Sequence, residues 1–156
     1  MSVKVCRIDD RLIHGQVVTS WLNTFKVEQI VIVSNETAGN DTQRSILKMS
    51  TPPNVITHIF TTDQFLTIAK KGPIKKSTLL LSDSVFDIEK IIEGGFEIKD
   101  LNVGGLRLNE HRERVSKQVS VTKEERECFK RLIAKGVNVE IRMVPSDTSL
   151  NMKGEI

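Results

Sequence analysis

The sequence predicts an α/β fold: an open, mostly parallel sheet of about six strands with helices on both faces. Three observations point there. Short runs rich in Val, Ile and Leu alternate with longer stretches of helical period. Residues 29–33 and 77–81 are largely apolar, the pattern of parallel strands covered on both sides. The links between these runs are short and carry Gly, Pro or capping residues.

Taken in order, residues 3–8 read as the first strand and 14–25 as a helix, with Val17, Val18, Trp21, Leu22 and Phe25 on one face. Residues 29–33 are the second strand. Residues 41–50 are helical, with Ile46, Leu47 and Met49 apolar, and Pro52-Pro53 bars continuation. A strand over 54–60 precedes a helix over 62–71, capped by Thr62 or Asp63 and stopped by Gly72-Pro73. Residues 77–81 are strand, 84–93 a helix ended by Gly94-Gly95, and 97–103 a strand running into Gly104-Gly105. The charged stretch 106–120 breaks the rhythm and reads as a hairpin or a long loop. Thr122-Lys-Glu-Glu125 is a capping-box signal for a helix through Lys135, closed by Gly136. Residues 137–144 are the final strand before Pro145. Such repeated units imply a three-layer, Rossmann-like arrangement with right-handed crossovers, whose ligands collect outside the carboxyl ends of the strands. The chain reads as one domain, 1–156, without linker, low-complexity segment or internal repeat.

Composition narrows the functions open to it. With 156 residues, 38% apolar and 28% charged, the chain can bury a real core and lacks the signature of disorder. The net charge is +3 with acids and bases interspersed, so no nucleic-acid partner is called for. Tyr is absent and Trp21 is the single Trp, which argues against base-stacking surfaces. Cys6 and Cys128 lack CxxC spacing and are expected to be reduced, cytosolic and buried. No long apolar segment follows Met1, so neither a signal peptide nor a membrane span is expected.

Chemistry gathers where the first strand ends. Arg7-Ile-Asp-Asp-Arg-Leu-Ile-His14-Gly-Gln16 sets one histidine among two arginines, two aspartates and a glycine. His14 opens or just precedes the first helix, at the sheet edge where ligands collect. A helix start offers free backbone N–H groups and partial positive charge, which suit a phosphate. Gly15 lets the backbone approach closely, while Arg7 and Arg11 are candidates to neutralise phosphoryl oxygens. Asp9 or Asp10 is a candidate to accept from one imidazole nitrogen, fixing the tautomer and leaving the other nucleophilic. The same residue types also fit a solvated turn holding a structural histidine, and by themselves they leave both readings open.

The remaining candidates are blander. His58 lies inside the third strand's pattern and reads as a packed or edge residue. His111, within Glu110-His-Arg-Glu-Arg114, reads as part of a solvated face. Three isolated histidines do not suggest a metal site. Neither G-x-G-x-x-G nor G-x-x-x-x-G-K-[ST] occurs, so no cofactor is expected. Asn102-Val-Gly-Gly105 is equally an exit turn or a backbone wall beside the His14 loop.

The stretch from Arg7 through His14 to Val17, followed by Trp21, closely resembles the opening of the mannose/fructose/sorbose-type IIB components of the bacterial phosphotransferase system. The resemblance continues in the family's order through Ile30-Val-Ile-Val-Ser-Asn-Glu36, Pro52-Pro53, Glu93-Gly-Gly95, Leu101-Asn-Val-Gly-Gly105, Val119-Ser-Val-Thr122, Gly136-Val and Val144-Pro. It therefore covers nearly the whole chain. It implies a phosphocarrier subunit with the activity of a protein-Npi-phosphohistidine–sugar phosphotransferase. His14 matches the family's phosphorylated histidine, which receives its phosphoryl group from the IIA component. The group then passes to a sugar of the fructose, mannose, sorbose or amino-sugar class, bound and imported by the membrane components IIC and IID.

By the same implication Arg7 and Arg11 clamp the oxyanion and Asp10 orients His14, with Asp9 less surely in that role. Asp9, Gly15, Gln16, Asn35, Gly104 and Gly105 are the implied phosphate-binding or wall positions. No metal or nucleotide is implied. The expected location is the cytoplasm, peripheral to the inner face of the bacterial membrane through IIC and IID. Only a short tail follows the last strand, so a fused IIA domain is not expected; homo-oligomerisation is left open. Many family members carry aspartate where Asn35 stands, and if that position touches the site its neutrality favours the phosphorylated state. The competing class is a non-catalytic regulatory or binding module on the same fold. The joint presence of Arg7, Asp10, Arg11 and His14 stands against it.

Overall fold

The sheet is built outward from β1 (Val3–Asp9). In the computed structural model, which describes residues 2–156, there follow α1 (Gly15–Phe25), β2 (Gln29–Val33), α2 (Asn35–Ala38), α3 (Asp41–Ser50) and β3 (Ile56–Phe60). Next come α4 (Thr62–Lys70), β4 (Thr78–Ser82), α5 (Val85–Glu93) and β5 (Asp100–Gly105). A small hairpin, β6 (Glu113–Arg114) and β7 (Ser120–Val121), leads into α6 (Lys123–Ala134), β8 (Asn138–Ile141) and β9 (Leu150–Asn151). The strand order is β3-β2-β4-β1-β5-β8-β9. The first six of these are parallel, and β9 lies antiparallel on β8 at the edge. The expected parallel sheet with helices on both faces is present, with β9 as an added strand. Two residues carry no periodicity, so β9 had no sequence signal. The four-residue α2 was missed for the same reason.

Strand alternation sends side chains into two cores. Val5, Ile30, Ile32, Leu79 and Leu81 pack with Trp21, Leu22 and Leu47 beneath α1 and α3. Cys6, Ile8, Val31, Val33 and Leu80 pack with Phe65, Ile88, Phe129 and Leu132 beneath α4, α5 and α6. Both cysteines are free and buried. Burial pushes each thiol up to about 12, so neither supplies a thiolate near neutral pH. Helix starts follow local chemistry: Thr61 with Gln64 and Thr122 with Glu125 form reciprocal capping boxes. The α4 cap is thus Thr61 rather than Thr62 or Asp63.

One consequence positions the site. From Val5 onward the odd residues of β1 face α1, so Arg7 and Asp9 share the face of Val5. From the end of β1 the chain turns to α1 on one face, whereas from neighbouring β4 it turns to α5 on the other. The carboxyl end of β1 is therefore where the winding reverses.

Candidate active site

The loop after β1 is a tight, partly left-handed turn. The Asp10 N–H donates to the Gly105 carbonyl and the Leu12 N–H to the Asp9 carbonyl, both at 3.0 Å. Leu12 has φ of +55°, a conformation that costs a leucine about 1 kcal/mol. Its side chain is buried in the α1 core, which returns about 2 kcal/mol. Gly15 has φ of +45°, where any other residue is strained. Between them His14 is the N-cap of α1, with extended backbone and no capping bond from its ring. The imidazole thus stands at the helix start beside unpaired first-turn N–H groups. No acidic residue occupies that turn to compete with an anion.

Both ring nitrogens face acceptors. Nδ1 lies 3.3 Å from the Leu12 carbonyl oxygen, while Nε2 lies 3.7 Å from Asp9 Oδ2. Nε2 is buried and without a hydrogen-bond partner.

Asp9 is the hub, fully buried. Its Oδ2 accepts from the Arg7 guanidinium and its Oδ1 from the Arg11 N–H, each at 3.0 Å. The Arg11 side chain lies alongside, with Nε 3.8 Å from Asp9 Oδ1 and 40% of it exposed. Arg7 is also fully buried. It donates to Asn102 Oδ1 and the Arg142 carbonyl, and lies 5.1 Å from the Trp21 ring centroid. Arg142 approaches the same ring at 5.4 Å, and the Trp21 Nε1–H donates to the Met143 carbonyl. Burial pulls the Arg7 guanidinium below its ordinary value and the Asp9 charge pulls it back up. An arginine keeps its proton in either case. A Cβ on Gly104 would fall 1.9 Å from the Arg7 guanidinium, so only glycine admits this arrangement. At Gly105 a Cβ would only touch Asp9 Oδ1, at 3.4 Å.

This geometry places four of the expected site residues in other contacts. Asp10 does not orient His14. Its Oδ2 accepts from the Arg107 N–H (2.9 Å) and from Arg112 (3.1 Å), turning outward because it follows Asp9 at the strand's end. The carboxylate beside His14 is that of Asp9. Arg7, expected as a clamp at His14, is fully buried under α1 as the counter-ion of Asp9. Asn35 does not wall the His14 loop. Its side chain accepts from Thr62 and donates to Asp87, tying α2 to α4 and α5 at the end of a strand two places from β1. Gly104 forms a window for Arg7 rather than a wall for phosphate. Arg11, Gly15 and Gln16 remain exposed around His14. His58 lies exposed on edge strand β3, and His111 is exposed as expected.

Sequence reasoning missed Asn102 as the support of Arg7, and Arg142 with it. It also missed the carboxylates that receive Arg112, which donates through two nitrogens to Glu125 at 3.0 Å each. Period-two alternation was the available signal for Asp9, because it puts residues 7 and 9 on one face. A cleft of about 560 Å³ lies behind Asn102 against Trp21, Phe25, Glu140 and Arg142, and is not lined by His14. Among the described residues no group of three His, Cys, Asp or Glu is placed to hold a metal ion. No described helix is long and apolar enough to cross a membrane.

Comparison with known proteins is consistent along the chain. The model of the family described as PTS system sorbose subfamily IIB component matches residues 3–156. A PTS system fructose-specific EIIB component of Bacillus subtilis is 35% identical over 150 residues, covering 96% of this chain and 92% of that protein. The mannose-specific EIIAB component of Escherichia coli K12 is 35% identical over 153 residues, covering 97% of this chain but 47% of that protein. The chain thus spans about half the length of the first curated relatives it matches. The crystal structure of the IIBSor domain of the sorbose permease from Klebsiella pneumoniae superposes with a TM-score of 0.92 at 26% identity, covering 99% of this chain and 96% of that one.

Proposed function

The chain belongs to the sorbose-subfamily IIB components of the phosphotransferase system, and from that membership we propose that it is a phosphocarrier whose acceptor is Nδ1 of His14. Residues 1–156 act as one IIB domain with the activity of a protein-Npi-phosphohistidine–sugar phosphotransferase. The observation that carries the choice of nitrogen is the burial of Nε2, 3.7 Å from the Asp9 carboxylate. A phosphoryl group there would collide with a fixed negative charge. A proton there is welcomed by it.

In the tautomer that carries its proton on Nε2, Nδ1 leaves its contact with the Leu12 carbonyl and bonds phosphorus as the donor phosphohistidine's P–N bond breaks. The Nε2–H then closes on Asp9 Oδ2, whose charge offsets the positive charge that phosphorylation leaves on the ring. Arg11 and the first-turn N–H groups of α1 stabilise the charge spread over the three phosphoryl oxygens in flight. Arg7 acts one step back, holding the Asp9 carboxylate in place through its guanidinium. The donor is a IIA component, and the acceptor is a sugar of the fructose, mannose, sorbose or amino-sugar class held by IIC and IID. The chain works at the cytoplasmic face of the bacterial membrane, and needs no metal or nucleotide for these steps.

The test is phosphoryl transfer from a phosphorylated IIA component to wild type and His14→Ala. Wild type takes up acid-labile, alkali-stable label and the variant takes up none. Full labelling of the variant refutes the assignment. An unlabelled wild type would favour a non-catalytic binding module.

A further inference from the structure

The excursion at 106–120, solvated-looking in sequence, is held against the active-site loop. Leu106 and Val119 are buried and joined by a bridge, and Leu106 exchanges backbone hydrogen bonds with Gln118 and Ser120. Asp10 latches the segment from the other side, accepting from the Arg107 N–H and the Arg112 guanidinium. Arg112 also donates to the Arg107 carbonyl and anchors on Glu125 of α6. Arg107 Nε also lies 3.3 Å from Asp10 Oδ1, so Asp10 and Glu125 are balanced by Arg107 and Arg112 together. Between the excursion and the His14 loop lies a concavity of about 230 Å³, whose lining includes Arg11, Arg107, Leu108, Arg114 and Lys117. All five are exposed, and Leu108 is an apolar residue within a basic rim. The exposed acids of the excursion, Glu110 and Glu113, do not line it.

We propose that this concavity is the docking surface for an acidic, apolar-centred knob on the protein that donates the phosphoryl group. The proposal rests on the phosphocarrier reading and adds where the donor holds. Arg11 belongs to both the concavity and the His14 loop, so a partner seated there brings its phosphoryl group to the ring. An apolar centre with a charged rim is the anatomy of a protein interface, and opposite charge across it speeds encounter and fixes orientation. A bilayer surface is flat and does not fill a hollow beside the acceptor.

The experiment measures KM and kcat for transfer from the phosphorylated IIA component, at low and high salt. For the double variant Arg114→Glu/Lys117→Glu we expect KM to rise about tenfold with kcat held, and the salt dependence of KM to flatten. Asp10→Asn, which loosens the latch, also raises KM. Lys48→Glu, on α3, changes neither. An unaltered KM in the double variant, or a fall in kcat alone, overturns the proposal. A fall in kcat alone for Asp10→Asn returns that residue to the histidine and removes the latch. Sedimentation with phosphatidylserine vesicles that is lost in the double variant, with KM intact, assigns the rim to lipid instead. If wild type takes no label, the phosphocarrier reading fails and this proposal with it; normal labelling with unaltered KM sinks this proposal alone.

Discussion

Asp9 and Asp10 are neighbours in sequence and belong to different regions of the molecule. The inner region is Arg7, Asp9, Asn102 and Trp21, closed off from solvent beneath α1. The outer region is Asp10, Arg107, Arg112 and Glu125, partly open at the sheet edge. Each pairs carboxylates with arginines at similar distances, yet the surroundings give them different work. In the inner region a charge left alone has no water to turn to. In the outer region solvent softens the same loss. The inner pair can therefore set the electrostatics at His14, while the outer network is suited to holding a surface segment in place.

That contrast can be broken by substitution, and the largest effect belongs to the inner pair. Asp9→Asn leaves Arg7 buried without its counter-charge, so denaturant unfolding should show a loss of about 3–5 kcal/mol. Transfer to His14 should be lost with it. A variant as stable as wild type would show that Arg7 finds another partner. Next, Gly104→Ala places a methyl group on the Arg7 guanidinium and should destabilise by about 2–3 kcal/mol, read by the same unfolding curve. On the outer side Arg112→Ala should lose about 2 kcal/mol, with protease sensitivity rising first in 106–120. An inner loss no larger than this would erase the distinction.

The smallest effect lies at another ion pair, which joins α5 to α6. Arg131 hydrogen-bonds both oxygens of Glu89 and holds its carboxyl below the ordinary range. A depressed folded value means the stabilisation is present above the unfolded carboxyl value and fades as pH falls through the folded one. Glu89→Gln should therefore narrow the gap to wild type on acidification. A gap that is constant with pH contradicts the pairing.

Legibility in the sequence followed the same inner and outer logic. Strands such as β2 and β4 were readable because burial on both faces leaves continuous apolar runs. The α6 start was readable because Thr122 and Glu125 act within one turn. His14 and Arg11 stood out because the site they share is local. Asp9 was misjudged against Asp10 although alternation distinguishes them. Arg7 drew its apparent role from its charge, and its actual one from Asn102 and Arg142, 95 and 135 positions away. Contacts at that range depend on which strands become neighbours, and β5 joins β1 only through the completed sheet. The latch from Asp10 to Arg112 was illegible for the same reason.

The claim on which the rest depends is that Asp9 turns the histidine so that Nδ1 carries the phosphoryl group. Nitrogen–proton correlation NMR of the histidine rings in the phosphorylated, nitrogen-15-labelled chain reads it directly. The expected spectrum changes at His14, with phosphorus on Nδ1 and the proton on Nε2. Phosphorus on Nε2, or a change confined to His58 or His111, contradicts it.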